Sequence, residues 1–143
     1  MSDNQVLTWM ILEDDEATRD VIETMCELWE FPVVAFKDGN RAAEYLEMDT
    51  PPHPLPDVAL LDIRNPGLWG HEISALIRKH PVLNNIAIII MTAYELPGKD
   101  ERQLKDISGA DRIIFKPLPP MDRLIGIVKD VIEERQKPPA PQQ

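Results

Sequence analysis

Acidic, hydroxyl and amino side chains stand directly after four apolar runs of this 143-residue sequence. They are Glu13, Asp14 and Asp15 after WMIL, Asp62 after VALL, Thr92 after IIIM, and Lys116 after IIF. If the runs are parallel strands, their carboxyl ends meet at one edge of a sheet and bring these side chains together. Carboxylates that converge in this way repel one another unless a cation lies among them. Mg²⁺ is the expected cation, because it binds one or two carboxylates and retains several waters.

An acidic magnesium site with one lysine and one hydroxyl group predicts phosphoryl transfer to a carboxylate. The cation and the ammonium group neutralise oxygens of the transferred group, so that catalysis rests mainly on positioning and electrostatics. Asp62 is the expected nucleophile. Each residue alone has an ordinary structural explanation, as a turn former, a helix cap or a surface lysine. Only their joint occurrence at four run ends favours the functional interpretation.

Five apolar runs predict five strands. They cover residues 9–12, 32–36, 58–61, 86–91 and 113–115. Three of these runs (WMIL, VALL and IAIIIM) are continuously hydrophobic rather than alternating, which is typical of strands covered on both faces of a parallel sheet. The sequence between the second and third runs is proline-rich over residues 48–57 and predicts an extended loop.

Segments with helical spacing of apolar residues separate the runs. The first, over about residues 16–30, is predicted to bury Ala17, Val21, Ile22, Met25, Leu28 and Trp29. The others are a helix around residues 42–46, one that ends near Pro81, a weak one within 99–108 stopped by Gly109, and one through 124–132. The alternation predicts an α/β fold: a doubly wound (βα)5 flavodoxin-like sandwich with a parallel five-stranded sheet in the order 2-1-3-4-5.

Composition excludes several classes of function. The formal net charge of −10 argues against a nucleic-acid-binding surface, which needs clustered Lys and Arg. No apolar run reaches the roughly 20 residues of a membrane span, and the start lacks the basic region of a signal peptide. The single cysteine, Cys26, forms no internal disulfide and favours a cytoplasmic location. We expect one soluble domain over residues 1–136 and a tail or severed linker over 137–143.

The remaining candidates for chemistry are weak. His53, His71 and His80 show no metal-ligand spacing and are expected at the surface. Cys26 lies near the apolar face of the first predicted helix and is expected in the core.

The chain resembles the receiver domain of two-component response regulators from about Leu7 to Arg135. The resemblance rests on four motifs in matching order and spacing: WMILEDDEATR, VALLDIRNPGLWG, IIIMTAY and GADRIIFKP. It implies a phosphorylation-activated signalling switch that catalyses its own phosphorylation and dephosphorylation, rather than an enzyme acting on a separate substrate. The implied partners are a sensor histidine kinase or phosphotransfer protein and a downstream protein that the sequence does not identify.

The resemblance implies a set of magnesium ligands. Asp14, Asp62 and the backbone carbonyl of Arg64 would bind Mg²⁺, and Glu13 would act through water. This assignment takes Glu13 and Asp14 as the acidic pair of the family. The pair Asp14 and Asp15 is the alternative.

The resemblance also implies how the phosphoryl group is received. Asp62 would accept it, Thr92 and Lys116 would bind its oxygens, and the peptide between Lys116 and Pro117 would be cis. Thr92 would then move inward and change the surface formed by the fourth helix, fifth strand and fifth helix. Homodimers form through this surface in relatives, and one is possible here.

Several positions depart from the usual pattern of the family. Ile113 stands where an aromatic residue is common, which removes the aromatic rotation that accompanies activation. Arg64 replaces a commoner apolar residue and is long enough to approach the phosphoryl group, and Tyr94 lies near the same entrance. Trp69 stands where a small or acidic residue is common, and either a surface contact or packing under the third helix explains it.

Two other functions compete with this interpretation. A haloacid-dehalogenase-type phosphatase also uses an Asp, a Thr and a Lys after strands, but it needs a second acid two residues after the nucleophile, where this chain has Arg64. A receiver-like domain that is not phosphorylated would act only by binding other proteins. Incubation with a small phosphodonor and Mg²⁺ distinguishes all three.

Overall fold

A computed structural model of the chain describes residues 5–93 and 98–137. The five strands are β1 (Trp9–Leu12), β2 (Val33–Phe36), β3 (Val58–Asp62), β4 (Ala87–Thr92) and β5 (Arg112–Phe115). The five helices are α1 (Glu16–Leu28), α2 (Gly39–Leu46), α3 (Gly70–Arg78), α4 (Gly98–Ser108) and α5 (Met121–Gln136). The predicted alternation of strand and helix is confirmed. Tyr94 and the tail beyond Lys137 lie outside the described residues.

The strands form one parallel sheet in the order β2-β1-β3-β4-β5, which confirms the predicted topology. Its register aligns the carboxyl ends of four strands. Leu12 pairs with Leu61, Asp62 with Met91, and Thr92 with Phe115. The residues that follow these pairs therefore lie along one edge of the sheet.

Two apolar clusters cover the two faces of the sheet. Trp9 and Ile11 of β1 point into a cluster with residues of α1 and α5, whereas Met10 and Leu12 point into a cluster with residues of α2, α3 and α4. All four side chains of β1 are fully buried. Burial on both faces explains why this strand is continuously hydrophobic.

The buried face of α1 is narrower than predicted. Ile22 and Cys26 are buried, but Val21 and Leu28 are 58% and 79% exposed. Each residue turns the helix by about 100°. Val21, one residue from Ile22, therefore lies about 100° from it around the helix axis, and Leu28, six residues from Ile22, lies about 120° from it. Only one stripe of α1 faces the sheet, so these two side chains remain in solvent. Trp29 follows the helix and stacks on Phe31, with ring centroids 6.1 Å apart.

His80 is buried, contrary to the prediction of a surface residue, with 3% of its surface exposed. Its Nδ1 accepts hydrogen bonds from the backbone N–H groups of Val82 and Leu83 at 3.0 and 3.1 Å. Its Nε2 lies 2.7 Å from the carbonyl oxygen of Met48, which requires the proton on Nε2. The ring thus joins the end of α3 to the proline-rich loop. His53 is exposed as predicted.

Helix α4 is attached to the core by few apolar side chains. Leu104 is buried, but Ile107 is 62% exposed. The end of the helix is tied to α3, because Ser74 Oγ donates to the carbonyl oxygen of Ser108 at 2.8 Å. Gly109 follows with a φ of 74°, the left-handed conformation predicted for a helix stop. Among the described residues, no helix combines the length and apolar character needed to cross a bilayer.

Candidate functional site

The carboxyl edge of the sheet brings an acidic pair and a lysine together. Glu13 extends β1, since its N–H donates to the carbonyl oxygen of Phe36 at 3.1 Å, and its side chain is fully buried. Asp62 ends β3 and is 8% exposed. Lys116 extends β5 through an N–H bond of 2.8 Å to the carbonyl oxygen of Thr92. The backbone hydrogen bonds of the strands therefore fix the Cα positions of Glu13, Asp62 and Lys116.

Lys116 bridges the two buried carboxylates. Its Nζ lies 2.7 Å from Glu13 Oε1 and 3.1 Å from Asp62 Oδ2. Partial burial disfavours the charged ammonium, but its hydrogen bonds to Glu13 and Asp62 outweigh that cost and raise the pKa of Lys116. The site therefore holds a fixed positive charge directly beside the predicted nucleophile.

Glu13 carries an unusual protonation equilibrium. Burial, followed by its hydrogen bond with Asp62, raises the pKa of Glu13 to about 7, against the opposing effect of Lys116. Two carboxylates and one ammonium group thus leave an excess of negative charge in a largely buried space. A cation bound beside them would favour the ionised form of Glu13.

The oxygens at this edge fit a divalent cation. One carboxylate oxygen each from Glu13, Asp14 and Asp62 lie within 4.8 Å of one another. Two oxygens bound to one Mg²⁺ are at most about 4.2 Å apart, since each Mg–O distance is about 2.1 Å. Movements of less than about 1 Å would bring the Asp14 and Asp62 oxygens within direct ligand distance, and Glu13 lies near enough to act through a bound water.

Asp15 has a different role from its two neighbours. Its Oδ2 accepts hydrogen bonds from the Thr18 N–H at 2.9 Å and from Thr18 Oγ1 at 2.6 Å, so that it caps α1. These bonds lower the pKa of Asp15. The structure therefore groups Glu13 and Asp14 with Asp62, which is the acidic pair preferred from the sequence. Arg19, for which the sequence predicted no role, steadies this turn by donating from Nη1 to the Glu13 carbonyl oxygen at 2.9 Å.

Sequence reasoning missed Asn65, which lies in the loop after the predicted acceptor. Asn65 is 6% exposed, and its Nδ2 donates to the backbone carbonyl oxygen of Asp62. Its Oδ1 has no hydrogen-bond partner among residues 5–93 and 98–137. A short polar residue three positions after the predicted nucleophile was the available signal, because such residues often bond to nearby backbone.

Gly70 lets the same loop close against Asp62, the predicted acceptor. A Cβ on Gly70 would lie 2.2 Å from the Asp62 carbonyl oxygen, a separation that no side chain tolerates. Its N–H donates to the carbonyl oxygen of Ile63 at 3.0 Å. The loop from Ile63 to Trp69 is therefore folded back onto the residue that precedes it.

The remaining predicted positions are distributed around this centre. Thr92 ends β4 and is 2% exposed, Ile113 is buried in β5, and Arg64 is exposed in the loop after Asp62. The peptide between Lys116 and Pro117 is cis, as predicted. The structure thus brings Glu13, Asp14, Asp62 and Lys116 together and places Thr92 at the end of the adjacent strand.

Fold and site together define a doubly wound α/β domain with an acidic, lysine-bearing centre at the carboxyl edge of its sheet. The model of the response regulator receiver domain family matches residues 9–129. The chain belongs to this family, whose members are the phosphorylation-activated switches of two-component signal transduction.

Several characterised proteins are similar to the chain. The response regulator DivK of Brucella anthropi is 26% identical over 123 residues, which cover 86% of this chain and 94% of DivK. The hybrid signal transduction histidine kinase I of Dictyostelium discoideum is 30% identical over 113 residues, and the transcriptional regulatory protein PhoB of Klebsiella pneumoniae is 27% identical over 124. The matches span only 6% and 50% of those two longer proteins.

Solved structures of receiver domains share the fold. The receiver domain of the Pseudomonas aeruginosa histidine kinase PA1611, with magnesium coordinated in its active-site cleft, gives a TM-score of 0.73 at 26% identity and covers 90% of this chain and 99% of that one. A receiver domain protein of Methanospirillum hungatei gives a TM-score of 0.71 at 23% identity, covering 92% and 98%.

Proposed function

We propose that Asp62 is the phosphoryl acceptor of this receiver domain. The observation that carries the proposal is the position of Lys116 Nζ, 3.1 Å from Asp62 and 2.7 Å from Glu13. A fixed ammonium group beside a nucleophilic carboxylate stabilises charge on an incoming phosphoryl group. The donor is the phosphohistidine of a sensor histidine kinase or phosphotransfer protein.

The chain's own residues would carry the transfer as follows. An Asp62 carboxylate oxygen attacks phosphorus, the bond between phosphorus and the donor nitrogen breaks, and the imidazole leaves with the electron pair. Lys116 and Thr92 bind oxygens of the transferred group. Asp14, Asp62 and the Arg64 carbonyl would hold Mg²⁺, and Glu13 would act through water. Bound Mg²⁺ supplies neutralisation of the developing charge.

Phosphorylation would be transmitted to the surface formed by α4, β5 and α5. Thr92 ends β4, directly before the chain enters the segment that leads to α4. Helix α4 is held by little apolar packing, so its position is open to a population shift when Thr92 moves toward the phosphoryl group. A downstream protein would recognise this surface. A cytoplasmic location suits the buried free thiol of Cys26 and is part of the proposal.

Intact-mass measurement after incubation with acetyl phosphate and Mg²⁺ tests the acceptor. The wild-type chain gains the mass of one phosphoryl group, the Asp62→Asn variant gains none, and Asp49→Asn, at an exposed loop position, behaves as the wild type. Continuous release of phosphate without an adduct would indicate a phosphatase instead. Absence of both adduct and turnover would indicate a binding module that is not phosphorylated.

A further inference from the structure

Strand β2 is an edge strand, and one side of its backbone has no neighbouring strand. The carbonyl oxygens of Pro32 and Phe36 accept hydrogen bonds at 2.9 and 3.1 Å from N–H groups of β1 and of Glu13, which extends it. Backbone groups of successive residues in a strand point to alternate sides, so the N–H and C=O groups of Val33 and Ala35 point away from β1. Among residues 5–93 and 98–137, these four groups have no hydrogen-bond partner. We call this row of two donors and two acceptors the open side of β2.

Three glutamates border the open side of β2 where it faces α1. Glu23 and Glu27 lie one turn apart on α1, and Glu30 lies in the turn that leads to β2. Together with Val33 and Ala35 they line an open groove of about 560 Å³. Within the part of the chain that the structure describes, none of the three carboxylates forms an ion pair. The groove therefore presents three negative charges beside unpaired backbone groups.

The surface on the other face of the same strand, toward α2, is mostly apolar. The rings of Phe36 and Tyr45 contact each other with centroids 5.3 Å apart, and with Met48 they border a second groove of about 420 Å³. The polar residues of this groove are Glu44 and Arg41, and the Arg41 guanidinium is already in an ion pair of 3.4 Å. The two faces beside the open side of β2 therefore differ, one acidic and the other mostly apolar.

The proline-rich loop borders the start of the strand without pairing with it. Pro52, His53 and Pro54 lie beside Val33 and Val34 around a smaller cavity of about 170 Å³. Proline has no backbone N–H to donate to a neighbouring strand. The outward groups of Val33 therefore keep no partner from this loop.

We propose that the open side of β2 binds an extended segment of a partner protein in which basic and apolar residues alternate. The segment adds to the sheet as a sixth strand and bonds through its backbone to Val33 and Ala35. Because side chains of a strand alternate between its faces, the Lys or Arg residues of the segment meet the three glutamates while its apolar residues lie over Phe36 and Tyr45. This surface lies at the opposite side of the sheet from β5, so the inference goes beyond the proposed function and does not depend on Asp62.

A second copy of this chain fits the open side of β2 poorly. Pairing β2 with itself would bring two sets of glutamates together, and each copy carries a formal net charge of −10. Like charges across a strand pair are destabilising, and charged side chains beside an edge strand protect it from self-association. A basic segment meets the same carboxylates with the opposite charge. The charge of the groove therefore favours a basic partner over another copy.

A synthetic peptide tests the proposal with the full chain. The peptide TKVKVKT, blocked at both ends, alternates three lysines with valine and threonine, and NMR measures the exchange of each backbone amide proton with water. At a peptide concentration ten times the dissociation constant, exchange of the Val33 and Ala35 amide protons slows about ten-fold, because the unbound fraction falls to about one tenth. The amide protons of Val34 and Phe36 already face β1 and are the internal controls, with unchanged exchange.

Neutral variants of the three glutamates test the charge. The triple variant Glu23→Gln, Glu27→Gln and Glu30→Gln binds TKVKVKT about ten-fold more weakly, since each exposed ion pair changes affinity by roughly two-fold. A matched triple variant neutralises exposed acids of α4 and α5 instead and binds as the wild type does. Its substitutions are Asp106→Asn, Asp130→Asn and Glu133→Gln.

Modified peptides test the addition of a strand without changing the protein. N-methylation of every second residue removes the backbone donors on one side of the peptide. Of the two possible alternating patterns, one therefore abolishes binding and the other retains it. The peptide TKKKVVT has the same composition without the alternation and binds at least about ten-fold more weakly.

Several outcomes overturn the proposal. They are equal binding of the acidic peptide TEVEVET, unchanged affinity in the triple glutamate variant, binding without slower exchange at Val33 and Ala35, and no binding of TKVKVKT at millimolar concentration. Sedimentation of the chain alone tests the remaining occupant. Dimers that are lost in Ala35→Pro, whose missing N–H faces away from β1, would assign the open side of β2 to a second copy and overturn the proposal as well.

Discussion

Lys116, which contacts two carboxylates, is expected to weaken metal binding and to favour phosphoryl transfer. Its ammonium group competes with a divalent cation for oxygens of Glu13 and Asp62, to which it lies at 2.7 and 3.1 Å. The same ammonium group would stabilise charge on the transferred phosphoryl group. A single substitution therefore separates the two effects.

We expect Lys116→Met to bind Mg²⁺ more tightly and to accept a phosphoryl group roughly 100-fold more slowly. The rate estimate follows from the usual cost of removing one preorganised donor from a reacting oxyanion. Calorimetric titration with Mg²⁺ and the initial rate of adduct formation from acetyl phosphate measure the two quantities. Lys105→Met removes a lysine of α4 that lies 4.0 Å from Glu101 and is the matched control. Weaker Mg²⁺ binding in Lys116→Met, or an unchanged rate, would contradict this account of the site.

At the residue scale, the sequence correctly predicted the location of those site residues that follow directly after a strand. Glu13, Asp62 and Lys116 each follow an apolar run, and parallel pairing brings run ends together whatever the loops do. Asn65 was missed because its role depends on the path of the loop that folds back onto Asp62. His80 was misplaced because its partners are backbone groups, which leave no pattern of residue types in the sequence.

At the scale of elements, His80 connects α3 with the loop that precedes β3. Its ring satisfies the N–H groups of Val82 and Leu83, and the latter bond is buried. We expect His80→Ala to lower the free energy of unfolding by about 1–3 kcal/mol, because it leaves buried backbone groups without partners. Equilibrium urea unfolding measures the change. His53→Ala, at an exposed position of the same loop, stays within about 0.5 kcal/mol of the wild type, and an equal effect of both substitutions would refute the structural role of His80.

The width of the buried face was the element-scale feature that the sequence overstated. Apolar residues on α1 extend over more of its circumference than the sheet can cover, so Val21 and Leu28 are exposed although they are apolar. Hydrophobic spacing predicts that a helix has a buried side, but the neighbouring elements decide how wide that side is. The three central strands, β1, β3 and β4, were easier to predict, since they are buried on both faces and their sequences are continuously hydrophobic.

At the scale of the whole molecule, the cluster between the sheet and the helices α1 and α5 contains the only ionisable thiol. Cys26 is fully buried among these apolar side chains. Burial, with a smaller contribution from the negative charge of Glu23, raises the pKa of the Cys26 thiol to about 12 from an ordinary value of 9.0. The thiol therefore remains protonated in the folded chain over a range in which it ionises in the unfolded chain.

This difference predicts a pH dependence of global stability. Because the pKa of Cys26 is higher in the folded than in the unfolded chain, the protonated thiol contributes to the free energy of unfolding. This contribution is fully present below pH 9 and is lost as the pH rises toward 12. At one pH unit above the unfolded value, the loss amounts to about 1.4 kcal/mol. Cys26→Ala lacks this linkage, so the free energies of unfolding of wild type and variant, measured by urea titration, converge by that amount between pH 8 and pH 10. If the free energies of unfolding of wild type and Cys26→Ala instead changed in parallel with pH, the thiol would be accessible to solvent in the folded chain. In that case a thiol reagent would modify Cys26 without unfolding of the domain.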